Sequence, residues 1–188
     1  MDQLKSQNQL GILSCMSQVK NAFKDTLNLP KTDFPMKANL GQNEPLRLKK
    51  WDKLNLYEWL QTKTESLPKF IFHDGPPYAN GSIHIGHLLN KVLKDLVVRS
   101  QMLLGKHCAF TPGWDCHGLP IEHKVLSELT EEKKQKLATL PPDQERLAIR
   151  NECKKYAEKF IKLQSQQMKR LLTVADYDQP YLTFQPSY

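Results

Sequence analysis

At 188 residues the chain is long enough for one domain with a real core and too short for several. Lys and Arg number 27 against 20 acids, a net charge of +7, which suits nucleotides or an RNA backbone and equally describes an ordinary basic soluble protein. The four cysteines, Cys15, Cys108, Cys116 and Cys153, form no C-x-x-C pair, so neither a zinc site nor a disulfide framework is suggested; no apolar run approaches a membrane span, and no secretory signal peptide is recognisable.

From Met1 to Lys24, Ile12, Met16, Val19 and Phe23 keep a helical spacing with no arginine, which argues against an Arg-rich mitochondrial leader. Asn28 to Leu40 carries Pro30 and Pro35 and is expected to be extended and irregular. A helix is predicted over Glu44–Thr62, with Pro45 at its start and Leu48, Trp51 and Trp59 among its core-facing residues. A turn at Ser66–Pro68 leads to a strand, Lys69–His73.

The loop that follows reads FHDGPPYANGSIHIGH over Phe72–His87 and enters a helix predicted for His84–Leu104. Ile85, Leu88, Leu89, Val92, Leu93, Leu96 and Val97 form one apolar face, with Lys91, Lys94 and Arg99 elsewhere and Gly105 as terminator. His84 and His87 fall on the first turn, where free N–H groups and the helix dipole favour a phosphate. A second strand, His107–Thr111, should run parallel to the first and open a second loop, PGWDCHGLPIE at Pro112–Glu122, so that both loops converge at one sheet edge. Beyond Ile121 a polar connection leads to Pro141, and Asp143 is expected to cap a long helix. Between Pro141 and Arg170 that helix carries eight basic residues against four acids, a solvated face or an RNA-facing one. The end, DYDQPYLTFQPSY, reads as a strand entering something absent. Gly75, Gly81 and Gly86 are too far apart for G-x-G-x-x-G, and no Walker loop exists, which counts against dehydrogenase and P-loop functions.

At HDGPPYANG, the HIGH tetrapeptide His84–His87 and GWDCHGLPIE, the chain resembles the class I aminoacyl-tRNA synthetases, and among them the isoleucyl-tRNA synthetases of bacterial or mitochondrial type. The resemblance runs from about Thr26 to the C-terminus and covers only the front part of a longer family protein. It implies that His84 and His87 contact ATP phosphates and act as the catalytic pair, and that Gly86 lets adenine approach the backbone. It further implies that Gly75 and Pro76 line an isoleucine pocket. Asp115 is the candidate for the substrate ammonium, since an α-amino group needs an anionic partner. Asn80 and Gly81 serve either as ligand contacts or as turn residues; Trp114 should pack behind Asp115, while the roles of His117 and Glu122 stay open. ATP with Mg2+ is expected as substrate, with no zinc site in this segment; the partners implied are isoleucine, ATP and tRNA(Ile), with no membrane and with the missing remainder of the synthetase as a further partner.

KMSKS, the family's second signature, is nowhere in these 188 residues. A start at Met16 resembles the way bacterial family members begin, which makes residues 1–15 an extension. The expected fold is α/β: the N-terminal half of a Rossmann-like parallel sheet, with a helical N-terminal arm and a long C-terminal helix. The expected divisions are 1–43, extension and irregular arm, and 44–188, the N-terminal half of the nucleotide-binding catalytic domain. The implied activity is isoleucine–tRNA ligation by a longer protein of which this is a fragment. The alternative is a non-catalytic nucleotide- or tRNA-binding remnant. The expected setting is cytoplasmic, or alternatively mitochondrial.

Overall fold

The computed structural model describes Thr26, Asn28 and residues 32–187. The predicted helical spacing over Met1–Lys24 and the reading of residues 1–15 lie outside the described residues. The chain divides into two compact units, Met1–Ala38 and Asn39–Tyr188. In the first, the described residues of 32–38 are irregular.

Two helices, α1 (Leu40–Leu54) and α2 (Leu56–Thr64), replace the single helix expected over Glu44–Thr62. The break is Asn55, left-handed at φ 45° and ψ 53°, a conformation that asparagine tolerates better than most non-glycine residues. Pro45 lies inside α1 rather than at its start, because the helix begins at Leu40. Of the two tryptophans, Trp51 is half-buried beneath the Arg99 guanidinium, 5.3 Å from its ring centre, whereas Trp59 is exposed rather than packed on the core. Tyr57 and Gln61 of α2 bond to the backbone of Phe110 and Cys108.

Three extended segments run in parallel, with residues 107–115 in the middle. Phe70 N–H donates to His107 O (2.8 Å) and Ala79 N–H to Asp115 O (2.8 Å) on one side. On the other, Asp176 N–H donates to Phe110 O (2.9 Å), and β1 (Gly113–Trp114) pairs with β2 (Tyr181–Leu182). The expected strands Lys69–His73 and His107–Thr111 are thus present only as extended backbone joined at the single bridge Lys69–His107, and regular pairing starts further along. Proline explains the gaps: Pro68, Pro76, Pro77, Pro112 and Pro180 have no N–H to give a ladder. The C-terminal segment, expected to enter something absent, pairs instead with β1 of its own chain. No side chain fits at Gly113, where a Cβ would fall inside the ring of Tyr181.

Helix α3 (Ile85–Leu103) links the first two segments. Its end is a Schellman motif: Gly105, at φ +77°, donates to Met102 O (3.0 Å) and Lys106 to Gln101 O (3.1 Å). The predicted apolar face is turned largely outward. Ile85, Leu89, Val92, Leu93, Leu96 and Val97 are exposed, while the inward side carries Val98 and Lys91. The reason is Asp74, whose buried carboxylate draws Lys91 and Lys94 toward the sheet.

The stretch expected to be a polar connection holds two helices, α4 (Leu119–Glu128) and α5 (Glu131–Ala138). Pro120 pre-sets the first turn of α4, and Thr130 Oγ1 caps α5 by accepting from Lys133 N–H at 3.4 Å. Helix α6 (Pro142–Arg170) begins one residue before the expected cap, so Asp143 lies in its first turn and Pro142 takes the N1 position that proline favours. Its inner side buries Cys153, Ala157, Gln164 and Met168. These join Val98, Cys108, Phe110, Trp114, Ile121 and Val125 in one core, with Trp114 fully enclosed. Among the described residues, no helix is long and apolar enough to cross a membrane.

Candidate active site

The two motif loops lie side by side, as their placement after parallel segments requires. Asp115 N–H donates to Pro77 O and Ala79 N–H to Asp115 O, both at 2.8 Å, so the first loop and the second share a backbone ladder. Gly75 and Pro76 stand just upstream of that ladder, and the head of α3 stands just downstream. The Gly75 position is open, with no atom within 4 Å of where a Cβ would be.

Beneath the first loop, the Asp74 carboxylate has no solvent exposure and receives both Lys91 and Lys94. Burial pulls the Lys91 ammonium down to about 8, which still leaves it charged at neutral pH. Tyr181 O–H donates to Asp74 O at 2.9 Å, fastening the loop to β2.

His84 caps α3. Its Nδ1 accepts from Gly86 N–H at 3.1 Å, and His87 Nδ1 reaches back to accept from His84 N–H at 3.3 Å, a reciprocal box built from two imidazoles. The rings stand 4.0 Å apart, centre to centre. Because each Nδ1 is an acceptor here, each neutral ring carries its proton on Nε2. Two ring N–H donors are therefore left over at the head of a helix. His87 titrates below its usual 6.5, through burial first and then the neighbouring His84 and Lys91, so it is neutral at pH 7. Gly86 has a reason inside the chain: a Cβ there would come within 2.9 Å of the His84 ring.

Asp115 is half-buried, and its Oδ1 accepts from Thr183 Oγ1 at 3.3 Å; the same hydroxyl accepts from Cys116 N–H at 2.9 Å. His117 is exposed, with Nδ1 3.9 Å from Asp115 Oδ1. Cys116 is buried and its thiol pushed up by burial, as packing rather than chemistry demands. Gly81 is a turn residue at φ +72°, and Asn80 is engaged by the protein, accepting from Tyr156 O–H (2.8 Å) and donating to Pro120 O (3.4 Å). Trp114 is buried behind Asp115, and its indole N–H donates to Gln164 Oε1 at 2.9 Å.

The sequence reading missed Asp74, Lys91 and Lys94, and it missed Gln164. A signal existed for the last: Ala157, Ile161, Gln164 and Met168 share one helical period, and only a polar residue with a buried task belongs in that series. Among the described residues, no three His, Cys, Asp or Glu side chains are placed to hold a metal ion.

Residues 46–188 match the family described as tRNA synthetases class I (I, L, M and V). A parallel sheet with the HIGH tetrapeptide at a helix head accords with that match, and the chain belongs to this family. At the sequence level it is similar to isoleucine–tRNA ligases: 54% identical over 166 residues to that of Desulfotalea psychrophila, and 51% over 166 to that of Kosmotoga olearia. The enzyme of Aquifex aeolicus is 49% identical over 173 residues, 92% of this chain. The match covers 88% of this chain for the first two, and the chain spans 17% of the length of each of the three. In fold it is similar to the LeuRS of Agrobacterium radiobacter K84, solved in a ternary complex with tRNA and LeuAMS, at a TM-score of 0.61 and 22% identity, covering 81% of this chain and 16% of that one. The α/β half-sheet expected from the motifs is thus the class I synthetase fold.

Proposed function

We propose that this chain forms the N-terminal half of the activation site of an isoleucine–tRNA ligase. In that reaction an isoleucine carboxylate oxygen attacks the α-phosphorus of ATP; the bond to the β-phosphate bridge breaks, and pyrophosphate leaves. The acyl group then passes to tRNA(Ile) with release of AMP. The site's task is to stabilise charge on phosphate oxygens, not to supply a nucleophile.

One observation carries the reading: the His84–His87 box, in which both Nδ1 atoms are occupied by backbone N–H groups and both Nε2–H donors remain available. A ring whose Nδ1 is taken up by a backbone N–H can turn its Nε2–H toward a phosphate at a helix N-terminus. ATP enters with Mg2+ as substrate. Asp115 receives the isoleucine ammonium, and Gly75 and Pro76 face the side chain, since both flank the ladder that fixes Asp115. The proposed setting is the cytoplasm, with the mitochondrion as the alternative.

The test is calorimetric titration of ATP, with and without isoleucine, together with isoleucine-dependent ATP–pyrophosphate exchange, on the purified chain. ATP binding that His87→Ala weakens about tenfold, the loss of one hydrogen bond to a charged group, supports the reading. Isoleucine binding that Asp115→Ala removes supports the amino-acid half. ATP binding without exchange would make this segment a nucleotide-binding half whose chemistry needs the rest of a synthetase. A folded chain that binds neither ligand would overturn the proposal.

A further inference from the structure

We propose that Gln164, on α6 and outside both motifs, is the positioning residue that sets the spacing between the two loops. The proposal rests on the activation site described above. Gln164 is fully buried. Its Oε1 accepts the Trp114 indole proton at 2.9 Å, and its Nε2 donates to Gly81 O at 2.9 Å and Tyr78 O at 3.1 Å, with Asn80 O at 3.4 Å. One amide therefore grips the second loop with its oxygen and the first with its nitrogen.

The amide cannot be turned round. Indole N–H is donor only, so the oxygen must face Trp114, and the nitrogen is left to face the carbonyls. Replacing it with an apolar group of equal size would strand the buried indole donor and leave the part-buried carbonyls of Gly81 and Tyr78 without their amide partner, which costs more than the bonds themselves contribute. The loop also needs an outside support. Its sheet bonding ends at Ala79, and Gly81 turns the chain at φ +72° before His84 begins the helix. Between those points, besides Asn80 Nδ2 on Pro120 O of α4, the contacts come from α6: Tyr156 to Asn80, Gln164 to the carbonyls, and Gln167 Oε1, which accepts from Ile83 N–H at 2.9 Å. The last of these immediately precedes His84. Where the His84–His87 box stands relative to Asp115 is therefore decided by α6.

The experiment is amide hydrogen exchange and ATP titration on the full chain, comparing Gln164→Met, which keeps the volume, with Gln167→Ala, which frees only the Ile83 N–H. With Gln164→Met, the amides of Gly81, Ile83 and Gly86 should exchange at least about tenfold faster, and by a larger factor than those of the core residues Val98 and Ile121. The Trp114 indole proton resonance should move, the melting temperature should fall because of the stranded polar groups, and ATP affinity should fall about tenfold. Gln167→Ala should speed exchange at Ile83 without moving the indole signal. If Gln164→Met leaves exchange in 79–87 and ATP affinity at parental values, or if it loses protection everywhere and Gln167→Ala changes nothing at Ile83, the proposal is wrong. A chain that binds no ATP at all would overturn the activation-site reading, yet the exchange pattern would still decide the role of Gln164.

Discussion

His87 shows how local geometry fixes a protonation state. Its Nδ1 is used to accept the His84 N–H, and its titration is held below 6.5 chiefly by burial. A folded-state value under the unfolded one means that the unfolded chain binds more protons between the two. The contribution to stability is therefore present above 6.5 and is lost as pH falls through the lower, folded-state value. The expected outcome is an imidazole NMR titration with its midpoint below 6.5, accompanied by faster exchange of the His84 amide on the acid side. A midpoint at or above 6.5 would refute the geometry. Asp74 is the second residue whose role can be stated in energy. Removing a buried carboxylate leaves Lys91 without its counter-charge, so Asp74→Asn should cost about 3–5 kcal/mol in chemical denaturation. Adding Lys91→Met should restore much of that loss, because the stranded charge goes with it. A single substitution as stable as the parent would show that the pair contributes nothing.

Among the elements, α3 separates what a sequence pattern reveals from what it conceals. The length of the helix and its stop at Gly105 were legible, because both rest on local chemistry, whereas His84, expected within the first turn, proves to be the cap. Which side packs was not legible. Periodicity finds an apolar stripe, but the inward side is chosen by Asp74, 17 residues upstream of Lys91 and on a different element. Helices α4 and α5 escaped for another reason: they are short and rich in Glu and Lys, and the Thr130 cap between them looks like any loop threonine. The β1–β2 pairing offers a direct trial of element packing. A methyl group at Gly113 would collide with the Tyr181 ring, so Gly113→Ala should destabilise by about 1–3 kcal/mol, as overpacking does. It should also free the Thr183 amide, which donates to Trp114 O at 3.2 Å in the parent. Full retention of that amide's protection would count against the pairing.

Taken whole, the candidate site was legible as two motifs and illegible as an assembly. The loops could be read because the HIGH tetrapeptide and GWDCHGLPIE each occupy one unbroken stretch of sequence. The support could not, because Gln164, Tyr156 and Tyr181 act across long stretches of chain and obey no local spacing. Those distances also bear on how the site comes into being. Gln164 meets Gly81 across 83 residues, and Tyr181 meets Asp74 across 107. Closures of that span are made late and slowly, after the local helices have formed. On a growing chain, the HIGH tetrapeptide therefore emerges long before the distant residues that hold its loop, and the two-loop arrangement takes shape only once β2 has been made.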